Sequence, residues 1–590
     1  MARRRLLTWA RWNGRAWLAA MCLARLPLAN ANIDVDIRGV DEQLRTNVLA
    51  YLSFDRYKKR TDLTTDTVER LHNRVQREVE SALRPFGYYE PRVESEVQDL
   101  GHGDWRVTID IDPGTPVLID KVDVRVNGPG ATDPLFERIT DKPALHSGDR
   151  LSHAAYEAVK SDLQRTAATY GYLEAKLTRN ELVVDPKSHT ANVTLEMQTG
   201  ERYRFGPTTI EQTSVRDSLV RRYLRYHEGE YFDLTQILRT QFALDDAQYF
   251  TNLEVLPQDA DRQTHTVPVD IHAGKSRRNR YSVGAGYATD TGARGTLTWE
   301  NRRLNRRGHR FSVTVEASQV ERYLLQARYI IPIGDPAVEN LTFQSTVEQL
   351  QLADITTHTQ SIGPAVTNLT GSWQYVWFAN VMRTTDVNQF GAGRTERMLV
   401  PGIDFASVPK GYLGEPIFQH PFFAEIRGSD ARIGSSVNFL QLRIQAEHVF
   451  RLADKWHLLL RDEVGMTAVS HFDRLPAVMR FFAGGDNSVR GFAFDELSPT
   501  DTVKQGTVKD GGKNLVTGTV EVIRDLPRNF GVATFFDYGN AFNHFGDRLE
   551  YAAGVGFRLR LPVVTLGVDV AEPLSRNAGP RLHINFSPKL

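Results

Sequence analysis

Residues 440–447 read LQLRIQAE, and residues 564–570 read VTLGVDV. In both stretches apolar side chains alternate with small, polar or charged ones, which is the two-residue period of a β-strand. One face of each strand is therefore apolar, while the opposite face carries arginine, glutamate or aspartate. A soluble sandwich would bury these charges in its core, whereas a membrane barrel turns them toward a polar lumen. The pattern predicts strands that cross a membrane as part of a barrel.

The second half of the chain contains about sixteen segments of this kind, and an even number of strands is expected in a bacterial barrel. Tryptophans along these segments suit the aromatic belts found at membrane interfaces. We therefore predict a C-terminal antiparallel transmembrane β-barrel over residues 277–590. The clearest predicted strands are 281–289, 294–300, 309–317, 322–331, 456–465, 530–538, 551–560 and 580–587, and the tryptophans are Trp299, Trp373, Trp377 and Trp456.

The first half repeats one layout three times: apolar residues at helical spacing, an aromatic corner, and an alternating strand. The corners are Phe86-Gly87-Tyr88, Tyr170-Gly171-Tyr172 and Tyr249-Phe250, which begin 84 and 79 residues apart. A period near 80 residues is too long for a solenoid repeat and fits tandem α+β modules. The glycine in the first two corners suits a helix exit with positive φ, and the third corner lacks it. We predict modules over 32–112, 113–201 and 202–276.

The N-terminus has the features of an export signal. Basic residues from Arg3 to Arg15 precede an apolar run over 16–24, and Ala29-Asn30-Ala31 supplies a small-x-small cleavage site. We predict a signal peptide over residues 1–31, because the apolar run is far shorter than the ~20 residues of a membrane anchor. Cys22, the only cysteine, lies inside this segment. A disulfide framework or a cysteine zinc site is therefore not expected.

Composition and motifs disfavour several classes of function. Lys plus Arg and Asp plus Glu number 72 each, so the net charge is zero, and a nucleic-acid partner is not expected. We find no G-x-S-x-G, H-E-x-x-H or P-loop motif, and the 16 histidines are scattered. We therefore predict that the protein is not an enzyme and has no catalytic residues, no cofactor and no metal site.

Three short motifs resemble those of one superfamily. Residues 487–492, NSVRGF, follow Gly484-Gly485 and resemble the VRG(F/Y) tip of the sixth extracellular loop in the BamA/TamA superfamily of outer-membrane assembly factors. Residues 535–539, FFDYG, are similar to the F-x-D-x-G strand motif of that superfamily. Residues 301–309, NRRLNRRGH, look like its first periplasmic turn. The resemblance covers nearly the whole chain after residue 31 and implies periplasmic POTRA modules followed by a barrel in the outer membrane.

The resemblance implies that the sixth loop folds back into the lumen and is anchored by Arg490. Strand parity places Asp537 opposite Phe536 and Tyr538, hence toward the lumen, and it places Glu521 in the same way. A buried arginine requires a carboxylate and binds it with two parallel hydrogen bonds. We expect Arg490 to bond Asp537 with Glu521 nearby, although any lumenal arginine would pair with some carboxylate. The predicted loop-six lock comprises Val489, Arg490, Gly491, Phe492, Glu521, Asp537 and Gly539.

The last predicted strand is bracketed by Pro580 and Pro588, which cannot donate ladder hydrogen bonds. Its seam with the first strand is therefore expected to be weakly paired, and an unpaired edge in lipid favours an incoming strand. We expect the seam to open laterally and to template client strands. The predicted seam residues are Tyr281, Val283 and Ala285 on the first strand and Leu582, Ile584 and Phe586 on the last.

Two basic segments have two interpretations each. Arg302, Arg303, Arg306 and Arg307 in the 301–309 turn either contact phospholipid headgroups or are simply solvated, and we favour solvation. The same choice applies to residues 275–280, KSRRNR, which form the predicted joint between the third module and the barrel.

Three modules without an apparent plug helix make the chain look like the TamA branch of the superfamily. That branch implies promotion of autotransporter and other outer-membrane protein assembly or secretion, with phospholipid transport as a further expectation. It also implies a TamB-like, inner-membrane-anchored partner on the first module, unfolded outer-membrane protein clients, and contact with outer-membrane lipid. The alternatives are a two-partner secretion transporter and a BamA-like general barrel assembly factor.

Overall fold

The computed structural model describes residues 33–588 except 59, 61–62, 102–103, 409–421 and 562–563. The predicted signal peptide therefore lies outside the described residues. Two compact units are present: one holds the chain up to Phe205 with 229–234 and 260–267, and the other holds 206–228, 235–259 and 268 onward. Within the described ranges, every helix is too short or too polar to traverse a bilayer.

The first unit contains two α+β modules built on one plan. In each, the third strand is central, with the first strand parallel to it on one side and the second antiparallel on the other. The first module comprises β1 (Ile33–Arg38), α1 (Glu42–Tyr51), α2 (Ser53–Tyr57), α3 (Thr65–His72), α4 (Val75–Leu83), β2 (Arg92–Gly101) and β3 (Asp104–Asp112). The second comprises β4 (Leu118–Asn127), α5 (Pro134–Thr140), α6 (His153–Thr169), β5 (Lys176–Asp185) and β6 (Thr190–Gln198).

Each module has its own core, in which apolar helix positions pack against the sheet. In the first module Val79 and Leu83 are fully buried with Val107 and Ile109 of the central strand. The helical spacing predicted from Val68 onward is shared by two helices, α3 and α4. They are separated at Asn73 and Arg74, where the Arg74 N–H bonds the Leu71 carbonyl three residues back and tightens the turn.

The aromatic corners connect one module to the next. Gly87 and Gly171 have φ values of 85° and 91°, the left-handed conformation that glycine adopts without a steric cost. The Gly87 carbonyl accepts the Val117 N–H and the Gly171 carbonyl accepts the Tyr203 N–H, both at 2.8 Å. Each donor directly precedes the first strand of the next module, so the corner holds that strand in place.

The third corner differs from the expectation by one residue. Gln248, with a φ of 57°, takes the left-handed position and precedes Tyr249. A residue with a Cβ costs ~1–2 kcal/mol in this conformation. The Ser276 hydroxyl donates to the carbonyls of Gln248 and Tyr249, at 3.1 and 2.9 Å, and helps to hold the corner.

A third sheet has the same strand order, and most of its residues belong to the second unit, which also contains the barrel. The elements of the third module are β7 (Arg204–Glu211), α7 (Asp217–Arg221), α8 (Leu234–Asp246), β8 (Phe250–Pro257) and β9 (Thr266–Lys275). β9 is the central strand, as the third strand is in the other two sheets.

Sixteen strands form one antiparallel barrel, in which each strand pairs with its neighbours in sequence. The predicted strand number is confirmed, and the eight predicted strand ranges are all present with modest shifts at their ends. The strands are β10 (Asn279–Ala288), β11 (Gly292–Asn301), β12 (Arg310–Ala317), β13 (Glu321–Pro332), β14 (Glu339–Leu352), β15 (Ile355–Thr370), β16 (Trp373–Asn388), β17 (Gly393–Ser407), β18 (Phe422–Ser429), β19 (Phe439–Ala453), β20 (Trp456–Val469), then, after a separate hairpin of β21 (Thr500–Val503) and β22 (Gly506–Lys509), β23 (Asn514–Asp525), β24 (Phe530–Phe542), β25 (Glu550–Arg560), β26 (Val564–Pro573) and β27 (Arg581–Pro588).

The barrel wall is apolar outside and charged inside. On β19, Leu440 is 59% exposed on the outer surface. On the opposite face of β19, Arg443 bonds Glu463 and Glu447 accepts a bond from Arg461, both at 2.7 Å across to β20. This alternation is the one expected for strands between lipid and a polar lumen.

We call the end at which β10 begins the turn end and the opposite end the loop end. Trp299, Trp373 and Trp456 lie near the turn end, in the last or first residues of their strands. The Trp373 ring stacks on Phe405 at 4.4 Å between centroids. These aromatic residues form part of a belt at one end of the apolar wall, while Trp377 lies further along β16.

We expect Gly87→Ala to loosen the boundary between the first two modules. An added Cβ would lie 2.7 Å from the Leu151 carbonyl oxygen, so a steric clash adds to the ~1–2 kcal/mol cost of the left-handed conformation. Gly148 has a φ of 90° with nothing within 4 Å of an added Cβ, and Gly148→Ala therefore isolates the conformational cost. Hydrogen exchange of the Val117 N–H in the full chain should be faster in Gly87→Ala. Equal exchange in the two variants would contradict this account.

Candidate functional site

Loop six, residues 470–513, is the sixth connection at the loop end of the barrel, and its tip is buried. Val489 and Phe492 are 0% and 2% exposed. They share an apolar cluster with residues of the loop and of the wall, namely Phe481, Ala483, Leu497, Leu515, Ala541 and Ala552. Because three of these lie on β23, β24 and β25, the tip packs against the inner face of the wall.

Arg490 is bound to Asp537 on β24 through three hydrogen bonds. The Nε and Nη2 groups of Arg490 donate to the two carboxylate oxygens at 2.8 and 2.9 Å, and the backbone N–H of Arg490 donates to Oδ2 at 3.0 Å. Asp537 is fully buried, and the Phe535 ring lies 3.3 Å from the guanidinium carbon. The structure thus brings together the two residues that the motifs and strand parity paired.

The lock is larger than the sequence suggested. Nη1 of Arg490 also donates to Glu521 on β23 at 2.8 Å and to Asp569 on β26 at 3.2 Å. Arg558 on β25 bonds Glu521 at 3.0 Å and also pairs with Asp569. Two arginines and three carboxylates therefore tie loop six to four consecutive strands. Parity places Asp569 and Arg558 on the lumenal face, but it does not show that they reach Arg490.

At two positions of the predicted lock a glycine is required, because neighbouring atoms lie too close for a side chain. Gly491 has a φ of 95°, and an added Cβ would lie 3.1 Å from the Ala552 Cβ. Its N–H donates to Nε2 of His583 on β27 at 3.0 Å. At Gly539 an added Cβ would lie 2.5 Å from the Val516 carbonyl oxygen. Gly491 therefore lets loop six reach the last strand, and Gly539 lets β24 approach β23.

The seam between β10 and β27 is short. Within the described residues, which end at 588, only Tyr287 and Ala288 of β10 pair with β27, opposite Phe586 and Asn585. The Thr289 N–H adds a bond of 3.0 Å to the Ile584 carbonyl. Residues 279–286 of β10 pair with β11 on one side and with no strand of the described chain on the other.

The predicted seam residues are only partly brought together. Tyr281 and Val283 are 69% and 74% exposed, and Ala285 is exposed too, all on the unpaired part of β10. Leu582 and Ile584 pair with β26 and lie beyond the register of those three residues, and Phe586 pairs with Tyr287 instead. These six residues do not pair with one another across the seam as two facing triplets, because β10 and β27 are staggered along the barrel.

The 301–309 turn does not present all of its arginines to solvent or lipid. Arg303 is 2% exposed and donates to the backbone carbonyls of Tyr249 and Ser276 at 3.1 and 3.2 Å. The Tyr249 hydroxyl donates to the Gly308 carbonyl at 2.7 Å. Arg303 therefore joins the third module to the barrel, which corrects both interpretations of this residue, while Arg306 and Arg307 are exposed.

We expect Arg490→Ala to destabilise the barrel strongly. Removing the guanidinium leaves Asp537 and Glu521 buried with reduced compensation, a change that typically costs ~3–5 kcal/mol. Arg443→Ala is the matched control, because Arg443 also pairs across the lumenal wall but its side chain is 40% exposed, where such pairs contribute about 1 kcal/mol or less. The temperature at which the folded barrel loses its compact migration on SDS gels should fall clearly further for Arg490→Ala. A similar fall of this temperature in both variants would show that the lock stabilises the barrel no more than a half-exposed ion pair does.

Comparison with known proteins agrees with this architecture. Residues 422–587 match the family model described as the Omp85 superfamily domain, and residues 34–113 match the one described as POTRA domain TamA domain 1. The outer membrane protein assembly factor BamA of Nitratidesulfovibrio vulgaris is 22% identical over 70% of this chain and 54% of that protein. BamA of Buchnera aphidicola is 20% identical over 37% of this chain and 35% of that protein. The chain thus spans about half and about a third of these relatives.

A solved structure shows the same fold. The crystal structure of BamA from Haemophilus ducreyi lacking POTRA domains 1–3 superposes with a TM-score of 0.64 at 15% identity, over 80% of this chain and 99% of that one. At this identity the likeness concerns the fold alone. The chain therefore carries an N-terminal POTRA domain and, within a sixteen-stranded barrel similar in fold to that of BamA, an Omp85 superfamily domain.

Proposed function

We propose that this protein is an outer-membrane assembly factor of the TamA type, whose seam opens to template strands of client outer-membrane proteins, autotransporters among them. The observation that carries the proposal is the unpaired edge of β10 over residues 279–286. Each backbone group left without a partner in lipid costs several kcal/mol. A client strand that pairs with this edge would supply the missing hydrogen bonds, which is strand addition in the sense of β-augmentation.

The exposed side chains of this edge support the same role. Tyr281 and Val283 lie two residues apart on β10 and present large exposed side chains, at 69% and 74%. A strand of alternating apolar residues arriving from the lipid side would meet both open backbone groups and matching side chains. The loop-six lock stays on the lumenal side, where it ties β23, β24 and β26 together while the seam moves.

The periplasmic end provides the proposed partner site. The first module has two edge strands, β1 and β2, and Leu100 at the end of β2 is 51% exposed. The match of residues 34–113 to the first TamA POTRA model supports a TamB-like, inner-membrane-anchored, β-rich partner on this module. Outer-membrane lipid contacts the apolar wall, and phospholipid transport is a further part of the proposal.

A BamA-like role in general barrel assembly is the second candidate. The two curated relatives described above are both BamA proteins. In this role the same seam serves clients, but the modules bind lipoproteins instead of a TamB-like partner. A two-partner secretion transporter, which serves a single exported protein, is the third candidate.

We expect a disulfide across the seam to abolish client assembly. The test variant carries Tyr287→Cys and Phe586→Cys, which are register partners on β10 and β27. The control carries Tyr287→Cys and Ala293→Cys, which link the same β10 residue to its partner on β11. In both, Cys22 is replaced by serine.

Surface display of an autotransporter is then measured in cells with and without a reducing agent. In the oxidised seam variant, surface display of the autotransporter should fall at least about tenfold, because the disulfide prevents β10 and β27 from separating. The reducing agent should restore display, because it cleaves the disulfide. The control should be unaffected. Full display with the seam completely cross-linked would refute lateral opening.

We expect the first module to capture an inner-membrane-anchored partner. A photo-crosslinking residue is placed at Leu100 on β2, and the matched control is placed at Val183, which is 58% exposed on β5, the corresponding edge strand of the second module. Capture of one large, β-rich, inner-membrane-anchored protein from Leu100 alone supports the TamA-type role. Capture of small lipoproteins supports the BamA-like role, and capture of one secreted protein supports two-partner secretion. Equal capture from both positions would contradict a specific site on the first module.

A further inference from the structure

Three titratable side chains from distant segments converge at the loop end of the seam. Asp290 follows β10 in the first loop, Asp486 lies in loop six just before the VRGF tip, and His583 lies on β27. Their side chains are 10%, 8% and 5% exposed. One ligand-type atom from each lies within 4.8 Å of the others. This cluster is separate from the loop-six lock and is not used by it.

The hydrogen bonds assign a role to the histidine. Nε2 of His583 accepts the Gly491 N–H at 3.0 Å, so the ring proton is on Nδ1. Nδ1 then donates to Oδ1 of Asp486. Both ring nitrogens are occupied and the ring is neutral in this arrangement, which means that His583 orients Asp486 without offsetting its charge.

The two carboxylates lack a compensating charge. The Asp486 N–H donates to Oδ2 of Asp290, which draws the carboxyl groups together. Oδ2 of Asp486 is buried and has no hydrogen-bond partner. In the described part of the chain, the ion pairs of this cluster involve only His583 and no lysine or arginine. Burial of ionised groups in this state is unfavourable unless a positive charge is bound between them.

The carboxyl groups of Asp290 and Asp486 adjoin one another, with one ligand-type atom of each within 4.8 Å, and one buried oxygen of Asp486 has no hydrogen-bond partner. Two buried carboxylates of this kind are neutralised either by a shared proton or by a cation.

We propose that Asp290 and Asp486 bind one hard divalent cation, Ca²⁺ or Mg²⁺, at the loop end of the seam. Carboxylate oxygens and water are the ligands that these ions prefer. A lumenal cavity of about 860 Å³, lined by both aspartates, supplies room for the coordinated water. Zinc, which favours imidazole, is disfavoured because both nitrogens of His583 are engaged. This proposal differs from our expectation from the sequence, which was that the chain has no metal site.

The position of the cation gives it a structural role. Asp290 lies two residues after the last paired residue of β10, and His583 on β27 holds Asp486 from the other side of the seam. The cation would therefore connect the first loop, loop six and the last strand where the seam has only two residue pairs. The site itself stands independently of the proposed assembly function.

The test uses the purified full chain in detergent after removal of metal ions. Isothermal titration with CaCl₂ and with MgCl₂ should show one site for at least one of the two ions, with a Kd on the order of 10⁻⁴ to 10⁻³ M, the range of extracellular calcium modules. Asp290→Asn and Asp486→Asn should each weaken binding at least about tenfold. Asp501→Asn, an exposed aspartate of the same loop, is the control and should bind as the unaltered chain does.

Folding of each variant is checked by its migration on SDS gels, and Asp290→Asn tests the site if Asp486→Asn fails to fold. Absence of binding to the unaltered chain would overturn the proposal in favour of a shared proton. Equal binding in all three variants would show an adventitious ion only. ZnCl₂ is titrated in parallel into the unaltered chain and into His583→Ala. Binding of Zn²⁺ that is lost in His583→Ala, without binding of Ca²⁺ or Mg²⁺, would overturn the ligand assignment.

A second experiment measures the distance between β10 and β27 across the seam. Spin labels are attached at Val283→Cys on β10 and Leu582→Cys on β27, in a chain whose Cys22 is replaced by serine. The cation should narrow the distribution of distances between the labels, and a chelator should broaden it again. An unchanged distribution, despite confirmed binding, would refute the role at the seam while leaving the site intact.

Discussion

A strand in lipid must pair both of its edges, and this barrel meets that requirement least well where its ends join. Among the residues that the structure describes, β10 and β27 share two pairs, whereas the next shortest ladder, between β17 and β18, has five. The cost of unpaired backbone in lipid makes this junction the weakest part of the wall. The rest of the barrel is arranged around it, with the longest loop folded inward beside it and the outer surface apolar on both sides.

Loop six compensates for the short seam from within. Arg490 holds the loop to Asp537 and its neighbours through bonds that are shielded from water, where removal of one partner is costly. Beyond that anchor, the loop bonds both sides of the seam, with Asp486 reaching Asp290 after β10 and His583 on β27. The lock joins the loop to β23, β24 and β26, while the bonds of Asp486 join the same loop to both sides of the seam.

Consecutive modules are connected by hydrogen bonds to the backbone carbonyls of the corners. A corner in the left-handed conformation presents a backbone carbonyl, and the following segment supplies a donor, as with Gly87 and Val117. At the third module, the carbonyls of Gln248 and Tyr249 accept bonds from Ser276, and Tyr249 also accepts from Arg303 of the first barrel turn. A buried arginine at this joint thus replaces the strand N–H used between the earlier modules. The basic turn contributes to rigidity as well as to surface charge.

The sequence by itself determined the class of the fold, because the two-residue period of LQLRIQAE and the repeat near 80 residues are properties of local chain segments. The resemblance of the NSVRGF and FFDYG motifs, together with strand parity, also predicted that Arg490 would bond Asp537 in the lumen. Only the tertiary structure decided that Arg558 and Asp569 join them, and that Asp290, Asp486 and His583 converge. Parity selects a face of the wall but not the stagger between the first and last strands. That stagger arises when the barrel closes, and it separated Tyr281 and Val283 from the last strand while bringing His583 to loop six.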